Sequence, residues 1–577
     1  MGSPFFKNRR LPALILAAAV LVVFGRMVSF DFVFYDDQAY VVANAHIRAG
    51  LTADSLRWAL TALEAGFWQP LTWISLLLDR EIWGMNPGGY HLTNLLLHLA
   101  SVLLLFAALD RLTGETAKSF LVAALFAVHP LHVEPVAWIA ARKDVLAGVF
   151  WSFALLLWGA YGEKEGKGSY LAVLGAYVLG LASKAMVVTL PAVLLLLDVW
   201  PLGRLGRRGW KRLVLEKAPF LIVGLAVGLA TVAAEEQAGA LKGLGEYPLA
   251  ARLGNAACAL AFYLGKTLLP FDLAVPYPHP GHWPLPYVAV SLAVVLILTY
   301  GALRNYRRRP YLLVGWLWYL VTLLPVTGLV QIGSHAFADR YSYLPLTGIF
   351  IAVVWGGASL GERREGVERT PEAEGTTGAY DDLSWERTGV GRCVAASLKA
   401  DGPPVAPGTL AVAAAGAMVL FAVLSFVQTG YWRDAETLFR HAVEVTQDNW
   451  VARNNLGAAL SRQGRPAEAV PHLAEALRLR PAYADALFNM GVALAQQGLF
   501  DEARRYYEGA LSLRPDWPEA HNNLGIALAE GGDPTAAVGR FQEALRLDPT
   551  YGAARRNLET ALKELEAKRG AKTPKGD

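Results

Sequence analysis

The chain has 577 residues, of which 54% are hydrophobic and 18% are charged, and its formal net charge is +4. Because soluble domains carry about 25% charged residues, this composition excludes a wholly soluble protein, and the small net charge argues against a nucleic-acid partner. Several apolar stretches reach the length of about 20 residues that crosses a bilayer. The composition therefore predicts a multi-pass integral membrane protein with a soluble appendage.

Apolar stretches predict about eleven transmembrane helices, the first of them uncleaved. The basic residues between these stretches mark the cytoplasmic loops. The segment 252–270 is also apolar, but counting it as a span would place the basic run 304–309 outside, so we expect an interfacial or re-entrant helix there. The predicted spans lie near residues 11–30, 90–110, 119–133, 145–161, 169–183, 186–200, 217–234, 287–303, 311–330, 345–360 and 409–427.

This topology divides the chain into a membrane domain and a soluble domain. Residues 1–360 form the multispanning domain, whose external segments are 31–89, 129–144, 235–286 and 331–344. Gly, Glu, Thr and Pro dominate residues 361–408, which predicts a disordered cytoplasmic loop. The last span, 409–427, leads into an external domain at 428–568, and a disordered tail is expected at 569–577.

A repeat with a period of 34 residues follows the last span. Gly457, Gly491 and Gly525 are in register, and so are alanines, leucines and prolines at matching positions. This spacing is typical of tetratricopeptide (TPR) repeats, which stack helix pairs into a solenoid with a concave binding surface. Residues 552–568 predict a capping helix. The asparagines that recur on the predicted acceptor-binding face are Asn455, Asn489 and Asn523.

An acidic pair, Asp36 and Asp37, follows the first predicted span. Carboxylates there could cap a helix. They could also act as a general base at the membrane surface. A second polar group lies in the predicted turn 129–144, where His129, His132 and Glu134 precede Arg142 and Lys143. Its spacing fits no standard zinc pattern, whereas the two cations suit a phosphate.

Two further sites carry charges beside predicted spans. Lys184 separates two apolar stretches, and Asp339 precedes Arg340 in an aromatic external segment. Charges so close to a span are costly and are often functional. Lys184 suits a phosphate headgroup, although it could also extend to the interface. Asp339 and Arg340 could pair with each other.

Taken together, these motifs resemble the transmembrane-and-TPR (TMTC) O-mannosyltransferase-like proteins of the GT-C glycosyltransferase class. The resemblance rests on the acidic pair, the His-Pro-Leu-His-Val-Glu-Pro-Val turn, Ser-Lys-Ala, Asp-Arg-Tyr-Ser-Tyr-Leu-Pro and the repeats. It implies an all-α fold, a GT-C-like membrane domain followed by a TPR solenoid. It also implies transfer of a sugar, mannose being expected, from polyprenyl phosphate to Ser or Thr of an exported protein.

On this interpretation the catalytic candidates are Asp36, Asp37 and Glu134, and the donor phosphate would contact Arg142, Lys143 and Lys184. His129, His132, Asp339 and Arg340 are further candidates for the external site. No cofactor is required and no metal ligands are assigned, although a divalent cation is compatible with the scheme. The expected partners are the lipid-linked sugar, the exported acceptor and membrane lipid, with the TPR domain on the periplasmic side of a bacterial inner membrane.

Two alternatives belong to other functional classes. A ligase or polymerase of surface glycans also combines many spans with repeats. It would be expected to use a large late external loop, whereas the late external loop here, 331–344, is short. A non-catalytic scaffold for envelope assembly would act through its repeats alone, so the loss of Asp36 would leave it functional.

Overall fold

The computed structural model describes residues 9–63, 66, 68–237, 239–362 and 407–572. The predicted loop 361–408 therefore lies almost wholly outside the described residues. In the membrane domain, the helices are Arg10–Phe24, Ala45–Ala49, Ala53–Thr61, Pro70–Trp83, Pro87–Thr113, Thr116–Val128, Val133–Ala137, Arg142–Lys164, Lys167–Ser183, Leu190–Val199, Arg204–Arg208, Trp210–Glu216, Ala218–Gln237, Leu249–Leu268, Leu285–Arg304, Pro310–Leu323 and Leu346–Glu362.

Every predicted span is helical, but the helices differ in length. Within the described residues, six are long and apolar enough to cross a membrane, and a bent pair can be counted as a seventh. At three other predicted spans the apolar helices have only 10–17 residues, and Lys167–Ser183 has 17. The six long helices are Arg10–Ser29, Pro87–Thr113, Ile139–Lys164, Ala218–Gln237, Leu285–Arg304 and Ala411–Arg433.

The bent pair contains the predicted turn with its two histidines. Thr116–Val128 and Pro130–Ala137 meet at an angle of 58°, because Pro130 lacks the N–H that would continue the first helix. Every residue from 126 to 142 is buried. The turn predicted at 129–144 is therefore packed into the helix bundle.

The second domain is a solenoid of helix pairs. Its glycines lie where two helices of one repeat cross, and a Cβ on Gly457, Gly491 or Gly525 would stand 2.6 Å from an atom of Leu473, Tyr507 or Phe541. Only glycine fits at such a crossing. The last membrane helix, Pro407–Gly430, leads into the solenoid. The solenoid helices are Ala435–Val445, Trp450–Arg462, Pro466–Leu479, Ala484–Ala495, Phe500–Leu513, Pro518–Glu530, Pro534–Leu547 and Gly552–Lys572.

Among the described residues, the fold is all-α apart from one small two-stranded sheet. Its strands, Tyr277–Pro278 and His335–Phe337, are antiparallel and pair Tyr277 with Phe337. The sheet joins two segments that are far apart in sequence, 273–280 and 331–340. Both lie at the end of the bundle that meets the solenoid, since Asn449 donates a hydrogen bond to the carbonyl of Pro276 (2.8 Å).

Candidate functional site

The two aspartates after the first helix have different environments. Asp37 is 1% exposed, and its two oxygens accept hydrogen bonds from the backbone N–H groups of Val33 (2.9 Å) and Ala140 (2.8 Å). Burial raises the pKa of Asp37 to about 7, against the lowering effect of these two donors. Although such a pKa would suit a base, both oxygens already accept hydrogen bonds from backbone N–H groups. Asp37 therefore links the first loop to the buried turn.

Asp36 is half-buried. Among the described residues its carboxylate accepts no hydrogen bond and joins no ion pair. Burial raises its pKa above the ordinary value of 3.8, while the positive charges of Lys143 and Arg340 lower it. An uncommitted carboxylate facing two cations is suited to take a proton from a bound hydroxyl group.

Tyr40 connects Lys143 to the same loop. Its hydroxyl oxygen accepts hydrogen bonds from Lys143 Nζ (2.8 Å) and from the side-chain amide of Gln69 (3.0 Å). The ring of Tyr40 stacks on Trp73 with centroids 4.9 Å apart. Because the amide of Tyr40 donates to the carbonyl of Asp36 (2.9 Å), the residue that holds the ammonium group of Lys143 follows Asp36 by one turn.

Lys184 supplies a second cation at this site. Its ammonium pairs with Asp144 and stands 5.7 Å from the ring centre of Tyr341. Burial lowers the pKa of Lys184, and the charges of Arg340 and Lys143 lower it further, against the raising effect of Asp144. The second oxygen of Asp144 is buried and finds no hydrogen-bond partner among the described residues.

Arg340 supplies a third cation, paired with Glu134 rather than with Asp339. One oxygen of Glu134 accepts from the backbone N–H of Arg340 (2.9 Å), and the other pairs with its guanidinium. Asp339 instead accepts a hydrogen bond from the hydroxyl of Tyr277 (3.0 Å). The guanidinium of Arg340 also lies over the rings of Trp138 (5.2 Å) and Tyr341 (5.0 Å), so Glu134 orients a cation and its oxygens are occupied.

Arg142, by contrast, belongs to the interior of the bundle. It is completely buried and pairs with Asp79 at 2.5 Å. Its other N–H groups donate to Asn94, to Ser75 (2.8 Å) and to the carbonyl of Tyr90 (2.9 Å). Since its donors are engaged between helices, the structure does not bring Arg142 to the cluster of Lys143, Lys184 and Arg340.

The two histidines of the turn also lie away from that cluster. His129 and His132 are both 0% exposed. His129 contacts the carbonyl of Thr267 through Nε2 (3.0 Å), and His132 contacts that of Phe126 through Nδ1 (2.8 Å). Their rings pack among aromatic side chains, including Phe421 for His129 and Tyr343 for His132. In the described part of the chain, no three His, Cys, Asp or Glu side chains form a group that could hold a metal ion.

A small cleft opens beside Arg340. It lies between the first external loop, the two paired strand segments and the buried turn, and Tyr35, Glu134, Pro276, His335, Phe337 and Arg340 line it. The wall therefore combines aromatic surface with a paired cation. Tyr35, which precedes Asp36 in the chain, is the residue of the first external loop that lines the cleft.

Of the three predicted asparagines, Asn489 bonds to a neighbouring helix, whereas Asn455 and Asn523 bond to the adjacent residue of their own helix. Asn489 donates to Asn454 (2.9 Å), and Asn523 accepts from Asn522 (3.2 Å). The side-chain nitrogen of Asn455 is buried and without a partner among the described residues. All three predicted positions are half-buried and lie on the first helix of a repeat.

Sequence reasoning assigned no role to Tyr40, Gln69, Asp144 or Tyr341. The spacing of four residues between Asp36 and Tyr40 is a usable signal, because it places both on one helical turn. For Gln69 and Asp144 the chain offers no local pattern, since their partners Tyr40 and Lys184 lie 29 and 40 residues away.

The fold defines an integral membrane protein that carries a C-terminal TPR domain. The tetratricopeptide repeat model matches residues 422–484, 454–518 and 488–552. Among solved structures, the Sgt2 TPR domain from Aspergillus fumigatus is 25% identical, with a TM-score of 0.22, and covers 23% of this chain and 89% of that one.

The resemblance to the TMTC proteins is confirmed by its curated relatives. Human protein O-mannosyl-transferase TMTC1 is 26% identical over 538 residues, covering 82% of this chain and 56% of the relative. Drosophila melanogaster Tmtc3, also a protein O-mannosyl-transferase by name, is 23% identical over 72% of this chain and 48% of its own length. The chain thus spans about half the length of these relatives.

Proposed function

We propose that this protein is a GT-C-type glycosyltransferase that moves one sugar from a polyprenyl-phosphate donor to Ser or Thr hydroxyls of exported proteins. The observation that carries the proposal is the carboxylate of Asp36, which binds no described residue. Its loop holds Lys143 through Tyr40 and packs through Tyr35 on Trp138, the ring that lies under Arg340. The names of the relatives favour mannose as the sugar. The surface-glycan enzyme and the scaffold are the rival functions.

The reaction divides the work between the acid and the cations. Asp36 takes the proton of the acceptor hydroxyl as its oxygen attacks the anomeric carbon, and the bond from that carbon to the phosphate oxygen breaks. Lys143, Lys184 and Arg340 stabilise the charge that develops on the departing polyprenyl phosphate. Attack opposite the leaving group inverts the anomeric centre.

The surroundings of the cluster fit this division. The second oxygen of Asp144 lacks a partner among the described residues and is available to a donor hydroxyl group, while Lys184 and Arg340 both lie against the ring of Tyr341. Asp37, Glu134 and Arg142 are positioning or structural residues on this view, because described groups occupy their polar atoms, and Asp339 is held through one oxygen by Tyr277. His129 and His132 support the packing of the turn.

The membrane placement follows from the charges. The basic residues 204–217 lie on the side opposite to the cleft by the positive-inside rule, which puts the cleft and the TPR domain in the periplasm of a bacterial inner membrane. The lipid tail of the donor then stays in the outer leaflet while its phosphate reaches the three cations.

The test is sugar transfer by the purified full-length protein from polyprenyl-phosphate mannose to exported proteins. We expect Asp36→Asn to lower kcat by about 10²- to 10⁴-fold, the usual contribution of a general base. Asp31→Asn is the matched control, because this exposed acid lies in the same loop. It should transfer at the wild-type rate.

The outcomes separate the candidate functions. Transfer at the wild-type rate by Asp36→Asn would exclude Asp36 as the base. Transfer of a glycan chain rather than one sugar would favour the surface-glycan enzyme. Complete inactivity of the wild type with several lipid-linked sugars, together with retained envelope assembly by Asp36→Asn cells, would favour the scaffold.

A further inference from the structure

The TPR domain contacts the loop that carries Asp36, at the two residues immediately before it. The guanidinium of Arg462 lies over the ring of Phe34, 4.9 Å from its centre. The ring of Phe439 meets Tyr35 edge-on, with centroids 5.8 Å apart. Both contacts come from the first helices of the solenoid, Ala435–Val445 and Trp450–Arg462.

The same part of the solenoid holds the opposite wall of the cleft. Asn449 donates to the carbonyl of Pro276 (2.8 Å), while His441 and Gln428 contact the carbonyl of Leu273 (3.1 and 3.2 Å). Asn449 is also the N-cap of Trp450–Arg462, since its oxygen accepts from Ala452 N (2.9 Å). Asn449 therefore caps a helix of the solenoid and also binds the segment that forms the cleft wall.

These contacts continue to the cation side of the site. Tyr35 stacks on Trp138, with centroids 5.5 Å apart, and Trp432 meets Trp138 at 5.8 Å. Trp138 in turn lies under the guanidinium of Arg340 (5.2 Å). A chain of packed rings thus runs from the start of the solenoid to the residue beside Asp36 and to one of the three cations.

We propose that the TPR domain positions the catalytic loop, with Arg462, Phe439 and Asn449 as positioning residues that set the geometry between Asp36 and the cleft. The inference rests on the proposed function and adds a second role to a domain otherwise expected only to bind the acceptor. Displacing a reacting group by about 1 Å can cost about 100-fold in rate. Because the carboxylate of Asp36 accepts no hydrogen bond from a described residue, its position depends on the packing of its loop, including the contacts of Phe34 and Tyr35.

The experiment separates positioning from acceptor binding. Arg462→Ala, Asn449→Ala and Phe439→Leu are measured in the full-length protein for kcat and for KM toward the acceptor. We expect kcat at saturating acceptor to fall by about 10-fold or more, with KM changed less than about twofold. Arg462→Lys, which keeps a cation near Phe34, should recover part of the loss.

The matched control is Arg514→Ala. Arg514 lies over Trp517 at 3.3 Å, so this variant removes the same type of contact from the solenoid at a distance from the loop. It should leave kcat unchanged. Wild-type kcat with a raised KM in the Arg462 and Asn449 variants would overturn the proposal, because the domain would then serve acceptor binding alone.

A second readout does not depend on catalysis. Hydrogen exchange of the backbone amides in 31–38 should become faster in Arg462→Ala and Phe439→Leu and stay unchanged in Arg514→Ala. Unchanged exchange in all three variants would overturn the positioning role. If the wild type transfers no sugar while exchange follows the expected pattern, the proposed function fails and the structural coupling stands.

Discussion

Two ends of the helix bundle bury carboxylates and cations, and they use them differently. At one end Asp198 is 0% exposed. One of its oxygens accepts from Arg204 (2.7 Å) and Trp158 (3.2 Å), and the other pairs with Lys217. At the other end, Asp36 faces Lys143 and Arg340 without a hydrogen bond to any described residue.

The difference shows how structural and functional charges can be told apart. When both oxygens of a buried carboxylate are bound, its partners offset the free energy lost on desolvation. When a partly desolvated carboxylate has no hydrogen-bond donor, that free energy is not offset, which is typical of a ligand-binding or catalytic site. We therefore interpret the Asp198 cluster as a structural ion-pair network between helices and the Asp36 cluster as the reaction site.

The largest expected effect lies at the Asp198 cluster. Asp198→Asn removes the fully buried counter-charge of Lys217 and Arg204 and leaves them Glu216 as their shared partner. The free energy of unfolding should therefore fall by about 3 kcal/mol, the lower end of the cost of breaking a buried ion pair. Thermal unfolding of the purified protein would show a lower midpoint. The kcat of the folded fraction should stay within about twofold of wild type, and a selective loss of kcat would contradict the comparison.

The control for this change is Glu163→Gln. Glu163 pairs with Arg111 at 2.8 Å on the surface, where water screens both charges. We expect no measurable change in the melting temperature. A loss as large as that of Asp198→Asn would mean that burial does not distinguish the two pairs.

A smaller effect should appear in the pH dependence of transfer. Asp36 must be deprotonated to act as a base, and burial raises its pKa above 3.8 while Lys143 lowers it. Removing that cation in Lys143→Met therefore raises the pKa of Asp36 further. The acidic limb of the profile of kcat/KM against pH should move to higher pH, because a larger fraction of Asp36 is then protonated at a given pH.

Lys143→Arg is the conservative comparison, because it keeps the positive charge near Asp36. Its acidic limb should stay close to that of the wild type even if its rate is lower. An acidic limb that does not move in Lys143→Met would show that another group controls the profile.

The smallest expected effect concerns the solenoid. Asn489→Ala removes one hydrogen bond between neighbouring helices, to Asn454, and removes an amide from the predicted acceptor face. A neutral hydrogen bond between this amide and the acceptor would contribute about 1 kcal/mol, so its loss should raise KM for the acceptor by about fivefold while kcat is retained. Initial rates measured over a range of acceptor concentrations would give both constants. A fall in kcat without a rise in KM would assign Asn489 to the positioning of the loop instead.

The fold was largely predictable because its signals are local. Apolar stretches of sufficient length identify membrane helices, and the 34-residue period with its glycines identifies the TPR domain. The site was less predictable. Asp36 and Asp37 are identical neighbours in sequence, and the hydrogen bond from Ala140 to Asp37 distinguishes them. Asp339 and Arg340 could pair with each other by sequence, but Arg340 bonds to Glu134 in the structure.

The turn at 129–144 illustrates the limit. The sequence predicted an external turn but gave no sign that its polar residues would be buried, which Asn94, Asp79 and backbone carbonyls make possible by satisfying their polar groups. Asn94, Asp79 and Thr267 are far from the turn in sequence, whereas Phe126, which His132 contacts, is six residues away. A buried polar side chain is tolerated only where partners meet it, and such meetings depend on how distant helices pack.

By itself, the sequence determined that the chain crosses a membrane, that a TPR solenoid follows, and which segments carry its unusual charges, since these depend on hydrophobic length and on a short repeat period. Only the tertiary structure decided that Asp36 is uncommitted while Asp37 is bound, that Arg340 rather than Arg142 joins Lys143 and Lys184, and that the solenoid contacts the loop before Asp36. Those results depend on contacts between residues far apart in the chain, whose free energies no local pattern encodes.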